Sequence, residues 1–227
     1  MSLQEFTVRG VIDRDEDCEL VLRCLAHLVP SSGILGAFSE RERRYRPVGA
    51  SNTHASNLEA RPEVVVRFNF CSHSVGDEAV AQVDMYGQTV RRAQSSVTVR
   101  QLHRTVINAS DATRFVEIFL QGTDLAFEWV RRGRRFRFRD GVFADVFRLE
   151  SVLSNVEGHT RSEPLPDLKW VVELRYIQPL DMVGIESMKS LSSALAESLP
   201  RKLALLAPYV FPLPKHSDKV PREVHIL

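Results

Sequence analysis

The sequence predicts a mostly β protein of the α+β class, a single domain whose antiparallel strands close into a barrel with about three flanking helices. Three observations predict it. Apolar residues alternate with polar ones in about nine short segments. Helical periodicity occurs in three segments and never alternates with single strands, which argues against a parallel sheet. Asp140-Gly141, set between two alternating runs, is a strong tight-hairpin signal. That many sequential strands must either split into two layers or close on themselves, and closure removes the exposed edges.

Residues 3–12 place Phe6, Val8, Gly10 and Ile12 on one face of a strand. Cys18, Val21, Leu22, Leu25, Leu28 and Val29 then form a helical stripe, with Asp13 and Glu16 spaced as a capping box and Pro30 with Ser31-Ser32-Gly33 as the stop. Strands are expected at 36–47, 64–70, 79–86 and 97–107, the first two separated by a polar loop insertion at 48–62. A short helix capped by Ser110 carries Ala112, Phe115, Val116 and Phe119, and Gly122 stands where a left-handed residue ends it. Three strands follow, around Leu125–Trp129, Phe136–Phe138 and Val142–Leu149, with turns expected at Arg132-Gly133 and Asp140-Gly141. A loop insertion at 153–167 leads to a strand at 170–177. A last helix carries Met182, Ile185, Met188, Leu191, Leu195 and Leu199 up to Pro200. The barrel domain is thus expected over 1–207, with a proline-containing tail over 208–227.

Composition narrows the function classes. A chain of 227 residues buries roughly 70% of its unfolded surface and needs no covalent or metal staple. Its net charge of +1 gives no whole-molecule field to attract nucleic acid or anionic lipid. Cys18, Cys24 and Cys71 make neither a CxxC pair nor an even disulfide framework, which suits a reducing compartment. No apolar run approaches the ~20 residues of a spanning helix, so no membrane association is expected.

Catalytic signals are sparse. Cys71 with His73, joined by His54, is the nearest approach to a metal site, and a loop with one thiol and two solvated imidazoles accounts for them more simply. GxSxG, GxGxxG and the phosphate loop are all missing, so no catalytic, metal or cofactor residue is expected. Acidic pairs pointing into a barrel could hold metals around a polyphosphate. Here Glu5, Glu150 and Glu173 stand singly, and Glu40 and Glu42, interleaved with Arg41, Arg43 and Arg44, read as a solvated strand edge. The inward side chains are accordingly expected to be apolar packing.

One basic run stands out: Arg131, Arg132, Arg134, Arg135, Arg137 and Arg139, with Phe136 and Phe138 between them. Arginines alternating with aromatics on a strand can bind single-stranded nucleic acid. Alternation also puts both phenylalanines on one face toward a core, leaving a charged outer face that keeps the sheet soluble or meets a partner protein. The second account is preferred, with Arg131, Arg132, Arg134, Arg135 and Arg137 as a candidate partner-facing hairpin.

The run Gly122, Phe127-Glu128-Trp129-Val130, Gly133, Phe136-Arg137, Gly141 and Val146-Phe147-Arg148 resembles the subunit 18 family of the Mediator transcription coactivator. Tyr86-Gly87-Gln88, Val172-Glu173-Leu174, Asp181-Met182-Val183 and Met188-Lys189 extend the resemblance over most of residues 3–206. It implies a barrel akin to the triphosphate-tunnel enzymes, without their activity and without a cofactor. It further implies a place in the nuclear Mediator head module, a heterodimer with subunit 20, and a bound helix from the C-terminal part of subunit 8. Contact with RNA polymerase II and initiation factors would then be indirect. The competing classes are a tunnel-type polyphosphate or RNA 5'-triphosphatase and a nucleic-acid-binding barrel that uses Arg131–Arg139.

Overall fold

A computed structural model describes residues 3–47, 63–69, 80–90, 97–119, 121–138, 141–154, 160–165, 170–179 and 190. Along the chain run β1 (Leu3–Ile12), α1 (Asp15–Leu28), β2 (Ile34–Pro47), β3 (Glu63–Asn69), β4 (Val80–Val90) and β5 (Thr98–Asn108). They are followed by α2 (Ala109–Phe119), β6 (Thr123–Arg137), β7 (Phe143–Ser154), β8 (Thr160–Pro164) and β9 (Trp170–Pro179). The sheet order is β6-β2-β3-β4-β5-β1-β9-β7-β8, and β6 also pairs with β7, which closes the sheet into an eight-stranded antiparallel barrel. β8 stands outside the ring, paired with the second half of β7.

Closure gives each strand an inner and an outer face. The main apolar core lies outside the barrel, under α1. Cys18, Val21 and Leu25 of the helix meet Phe6, Val8, Ile12, Val99, Phe136, Ala144, Val146, Val172 and Leu174 of the wall. α2 covers a second patch, where Ala112, Phe115 and Val116 meet Tyr45, Val66, Ala81 and Val83. Burial raises the Cys18 thiol to about 12, so it behaves as an apolar residue. Apolar side chains fill only parts of the interior: Trp129, Phe147, Leu149, Val171, Phe38 and Phe127 in one group, and Val65, Tyr86, Leu102, Leu3 and Ile177 in another.

This overturns the expectation that the inward faces are apolar packing. Phe136 and Phe147 are both buried, at 2% and 1% exposure, but on opposite sides of the wall. Phe136 packs beneath α1 with Phe138 beside it, and Phe147 points inside.

Several local readings also change. Arg132-Gly133 is not a turn, since β6 runs unbroken through it. A Cβ at Gly133 would lie 2.0 Å from the Val146 carbonyl oxygen and 2.6 Å from the Phe147 Cα, so the glycine permits close approach of β7. Phe38 and Phe147, its partners on the two neighbouring strands, meet edge to face there at 6.4 Å. The loop expected at 153–167 includes β8. Asp13 and Glu16 make no capping box: the N-cap is Arg14, without a side-chain cap, and Asp15 instead accepts a 2.7 Å hydrogen bond from the Trp170 indole. The second helix starts at Ala109, one residue before the expected cap Ser110.

The left-handed glycines are where they were expected, Gly122 at φ 83° and Gly141 at φ 80°. At the β6–β7 hairpin the Gly141 N–H donates to the Phe138 carbonyl at 3.1 Å, and the Phe138 N–H to the Val142 carbonyl at 2.8 Å. Gly141, at positive φ, closes this hairpin as expected, while Asp140 lies outside the described residues. The 48–62 insertion, the last helix and the 208–227 tail lie outside the described residues, as do Cys71, His73 and His54.

Truncating Phe136 or Phe147 to alanine is expected to cost ~3–5 kcal/mol each in urea unfolding. Gly133→Ala should destabilise although it adds a single methyl, because the obstruction is backbone; unfolding at the wild-type urea midpoint would contradict the close approach.

Candidate functional site

The interior of the barrel is built from charged residues that alternate with the outer apolar ones. β1 contributes Glu5, Thr7 and Arg9, β2 contributes Glu40, Glu42 and Arg44, and β3 contributes Glu63 and Arg67. Asp84 and Tyr86 come from β4, Arg131 and Arg135 from β6, Asp145 from β7, and Glu173 and Arg175 from β9. Glu5, Glu40, Glu42, Glu63, Asp84, Asp145 and Glu173 are all 8% exposed or less. Charged groups this deep persist only when paired and hydrogen-bonded.

Glu42 is the hub. One of its oxygens accepts from Arg44 Nε at 2.8 Å and from the Trp129 indole at 3.2 Å, and the other from Arg67 Nε at 2.8 Å. Arg67 reaches on to Asp84, which Arg104 grips through two nitrogens at 2.7 and 2.9 Å. Arg131 donates through Nη2 to Glu173 at 3.0 Å and Asp145 at 3.3 Å, while its Nη1 lies 3.6 Å from Glu42 and 3.8 Å from Glu40. Its guanidinium stacks 4.1 Å from the Phe147 ring centre. Arg135 clasps Asp145 at 2.7 and 2.8 Å and reaches Glu40 at 2.8 Å. Elsewhere, Arg44, Arg46 and Arg100 converge on Glu63 at 3.2, 3.7 and 2.6 Å.

The electrostatics follow from this crowding. Burial alone would raise the Glu42 carboxyl, but Arg44, Arg67 and Arg131 outweigh it and hold the group far below the ordinary range. Glu63 is brought down to about 2 by Arg44 and Arg100 against the same burial. Glu173 is held well below normal by Arg131, Arg9 and Arg175, again against burial. Burial pushes the Tyr86 phenol up, and it stays a neutral donor to Glu5 at 3.1 Å.

The cleft lined by Glu42, Arg44, Trp129, Arg131, Phe147, Leu149 and Glu173 leaves no room for a water-sized sphere. Among the described residues, no three His, Cys, Asp or Glu side chains come together as a metal site. Inward carboxylates are therefore present where none were expected to gather, and guanidiniums face them.

The structure divides the candidate hairpin. Arg131, at 3% exposure, and Arg135 point into the barrel and are not partner-facing. Alternation separates them from Arg132 and Arg134, which face out, while Arg137 is exposed beside the Phe143 ring at 5.8 Å. Glu128 lies outside as well, receiving 2.6 Å hydrogen bonds from both Arg41 and Arg43. Of the resemblance residues, Trp129, Phe147 and Glu173 belong to the interior, Phe136 to the core under α1, and Gly122, Gly133 and Gly141 to backbone geometry.

Sequence reasoning missed Glu40, Glu42, Arg67 and Asp84 as interior groups. A signal was present for two of them: Arg67 in Val64-Val65-Val66-Arg67-Phe68 and Asp84 in Val83-Asp84-Met85 are single charges within apolar strands.

The fold and interior define a closed antiparallel barrel that resembles the triphosphate-tunnel fold and is lined, among the described residues, by ion pairs. Among solved structures, a chain of the Schizosaccharomyces pombe Mediator head module is similar over 84% of this chain and 95% of its own, at 18% identity and a TM-score of 0.59. A protein of Pyrococcus horikoshii OT3 is similar over 87% and 92%, at 10% identity and a TM-score of 0.57. A Hippeastrum protein described as an adenylyl cyclase with a dominant triphosphatase activity covers 93% and 100%, at 10% identity and a TM-score of 0.52. These are likenesses of fold, and the first concerns the same complex as the motifs from Gly122 to Phe147. No protein-family model and no curated protein matches the chain.

Two tests address the interior. Arg131→Ala should cost ~3–5 kcal/mol by stranding buried carboxylates, whereas Arg132→Ala next to it should stay within ~0.5 kcal/mol. Equal effects would mean that the two side chains are not on opposite faces. Carboxyls depressed in the folded state add stability above their ordinary pKa of ~4, and that stability is lost as pH falls through the folded values. The melting temperature should therefore change little from neutral pH to about 4 and fall steadily toward pH ~2. A flat profile over the acid range would contradict charged interior carboxylates.

Proposed function

We propose that this chain is a non-enzymatic subunit of the Mediator head module, a nuclear adaptor in RNA polymerase II transcription that pairs with subunit 20 and holds a C-terminal helix of subunit 8. The observation that carries the proposal is the joint one of fold and motif. The barrel is similar to a chain of the fission yeast head module along nearly its whole length, and the Gly122–Phe147 run has the family's pattern. The charged interior supports an adaptor as well. Carboxylates that could bind cations around a phosphate chain are already held by Arg44, Arg67, Arg131 and Arg135, so surface contacts are left as the means of action.

Co-expression with tagged subunit 20 and the C-terminal segment of subunit 8 from the same organism is expected to yield a stable ternary complex. A folded chain that purifies alone in the presence of both would overturn the proposal.

The fold shared with the Hippeastrum protein favours a second reading, a tunnel-type triphosphatase. It requires divalent-metal-dependent phosphate release from tripolyphosphate or triphosphate-ended RNA. The expectation is release no faster than in a sample lacking the protein, and metal-dependent turnover abolished by Glu42→Gln would establish the second reading.

A further inference from the structure

We infer that the outer face of β6, with its neighbours on β2 and β7, is a docking surface for an acidic segment of a partner protein, gripped by Arg132 and Arg134. The inference rests on the adaptor reading only in taking the occupant to be a protein.

Arg132 and Arg134 are two apart on one strand, so their side chains leave the same face about 7 Å from each other. The Arg132 side chain is 60% exposed. Arg134 is exposed and has no ion pair among the described residues. Directly opposite Arg132 on β7 stands Arg148, and like charges in that position repel. Arg148 is drawn off toward Asp15 and stacks on Trp170 at 4.2 Å. Arg132 has Glu150 at 3.5 Å, a carboxylate already engaged by the Ser162 hydroxyl at 2.5 Å. On the other side, the β2 residues paired with Arg132 and Arg134 are Ser39 and Ala37, too small to shield the guanidiniums. The barrel thus presents two adjacent, weakly compensated guanidiniums over a low surface.

Charge complementarity assigns an anionic occupant, and the surroundings favour carboxylates over a nucleic acid backbone. A guanidinium takes a carboxylate through two parallel hydrogen bonds. Single-stranded nucleic acid would need aromatic faces for its bases, but Phe136 is sealed beneath α1 and Phe138 packs against the same core. The basic track is also short, bounded by Glu128 and Glu150. An acidic side-chain pair spaced like the two arginines fits between those limits.

The test is fluorescence anisotropy with a labelled peptide carrying glutamate at alternate positions, using the full chain without other subunits. The charge-swapped double variant Arg132→Glu with Arg134→Glu is expected to weaken binding about tenfold or more. Arg14→Glu with Arg23→Glu, which makes the same charge change at the exposed N-cap and an exposed position of α1, should leave binding within about twofold. Equal loss in both variants, no binding of the peptide by the wild type, or tighter binding of a single-stranded oligonucleotide of equal charge would each overturn the inference. Should the charge swap unfold the barrel, Arg132→Gln with Arg134→Gln is to show the same preferential loss. Subunits 20 and 8 are absent from this assay, so their failure to bind and the failure of this surface are separate results.

Discussion

Closure of the sheet is the constraint on which the rest depends. In a closed antiparallel barrel every second side chain of every strand is directed inward, and charged groups there must find partners or lose their charge. This chain meets the demand with guanidiniums that each bridge two or more carboxylates: Arg131 between Glu173 and Asp145, Arg135 between Asp145 and Glu40, Arg67 between Glu42 and Asp84. Arginine suits the task because it stays ionised and presents several donors in a fixed plane. A lysine could not link three strands in the same way.

The charged interior also dictates where hydrophobic burial takes place. With ion pairs inside, the apolar faces of the strands turn outward and must be covered, which is what α1 and α2 do. The helices are therefore part of the core and not ornaments on a finished barrel. Among the described residues they leave part of the outside uncovered, including the stretch of β6 where Arg132 and Arg134 emerge. The interior between Glu42, Arg131 and Glu173 is thus occupied by paired side chains, and the outer surface carries the remaining arginines of β6.

Much of this was legible in the residues. The alternation of Phe6, Val8 and Ile12, the stripe of Cys18, Val21 and Leu25, and the positive-φ glycines Gly122 and Gly141 all follow from local rules of backbone and periodicity. Other features were not. Glu40 and Glu42 alternate with Arg41 and Arg43, so both faces of that strand are charged and the pattern cannot tell inside from outside. Gly133 carries a turn-like signal after Arg132, yet its meaning is set by a β7 backbone that sequence cannot place. β8 is five residues long, without apolar alternation, and exists because β7 offers it an edge.

The sequence by itself determined most of the strands, though not β8 or the continuity of β6, together with the first two helices, the antiparallel class and the motif run, because periodicity and turn chemistry act over a few neighbouring residues. Only the tertiary structure decided which face of each strand is the interior, and with it the different fates of Arg131 and Arg132. The reason is physical: alternation separates two faces, but ring closure and the helices packed outside decide which one is sealed, and a charge becomes an interior group only through partners many residues away.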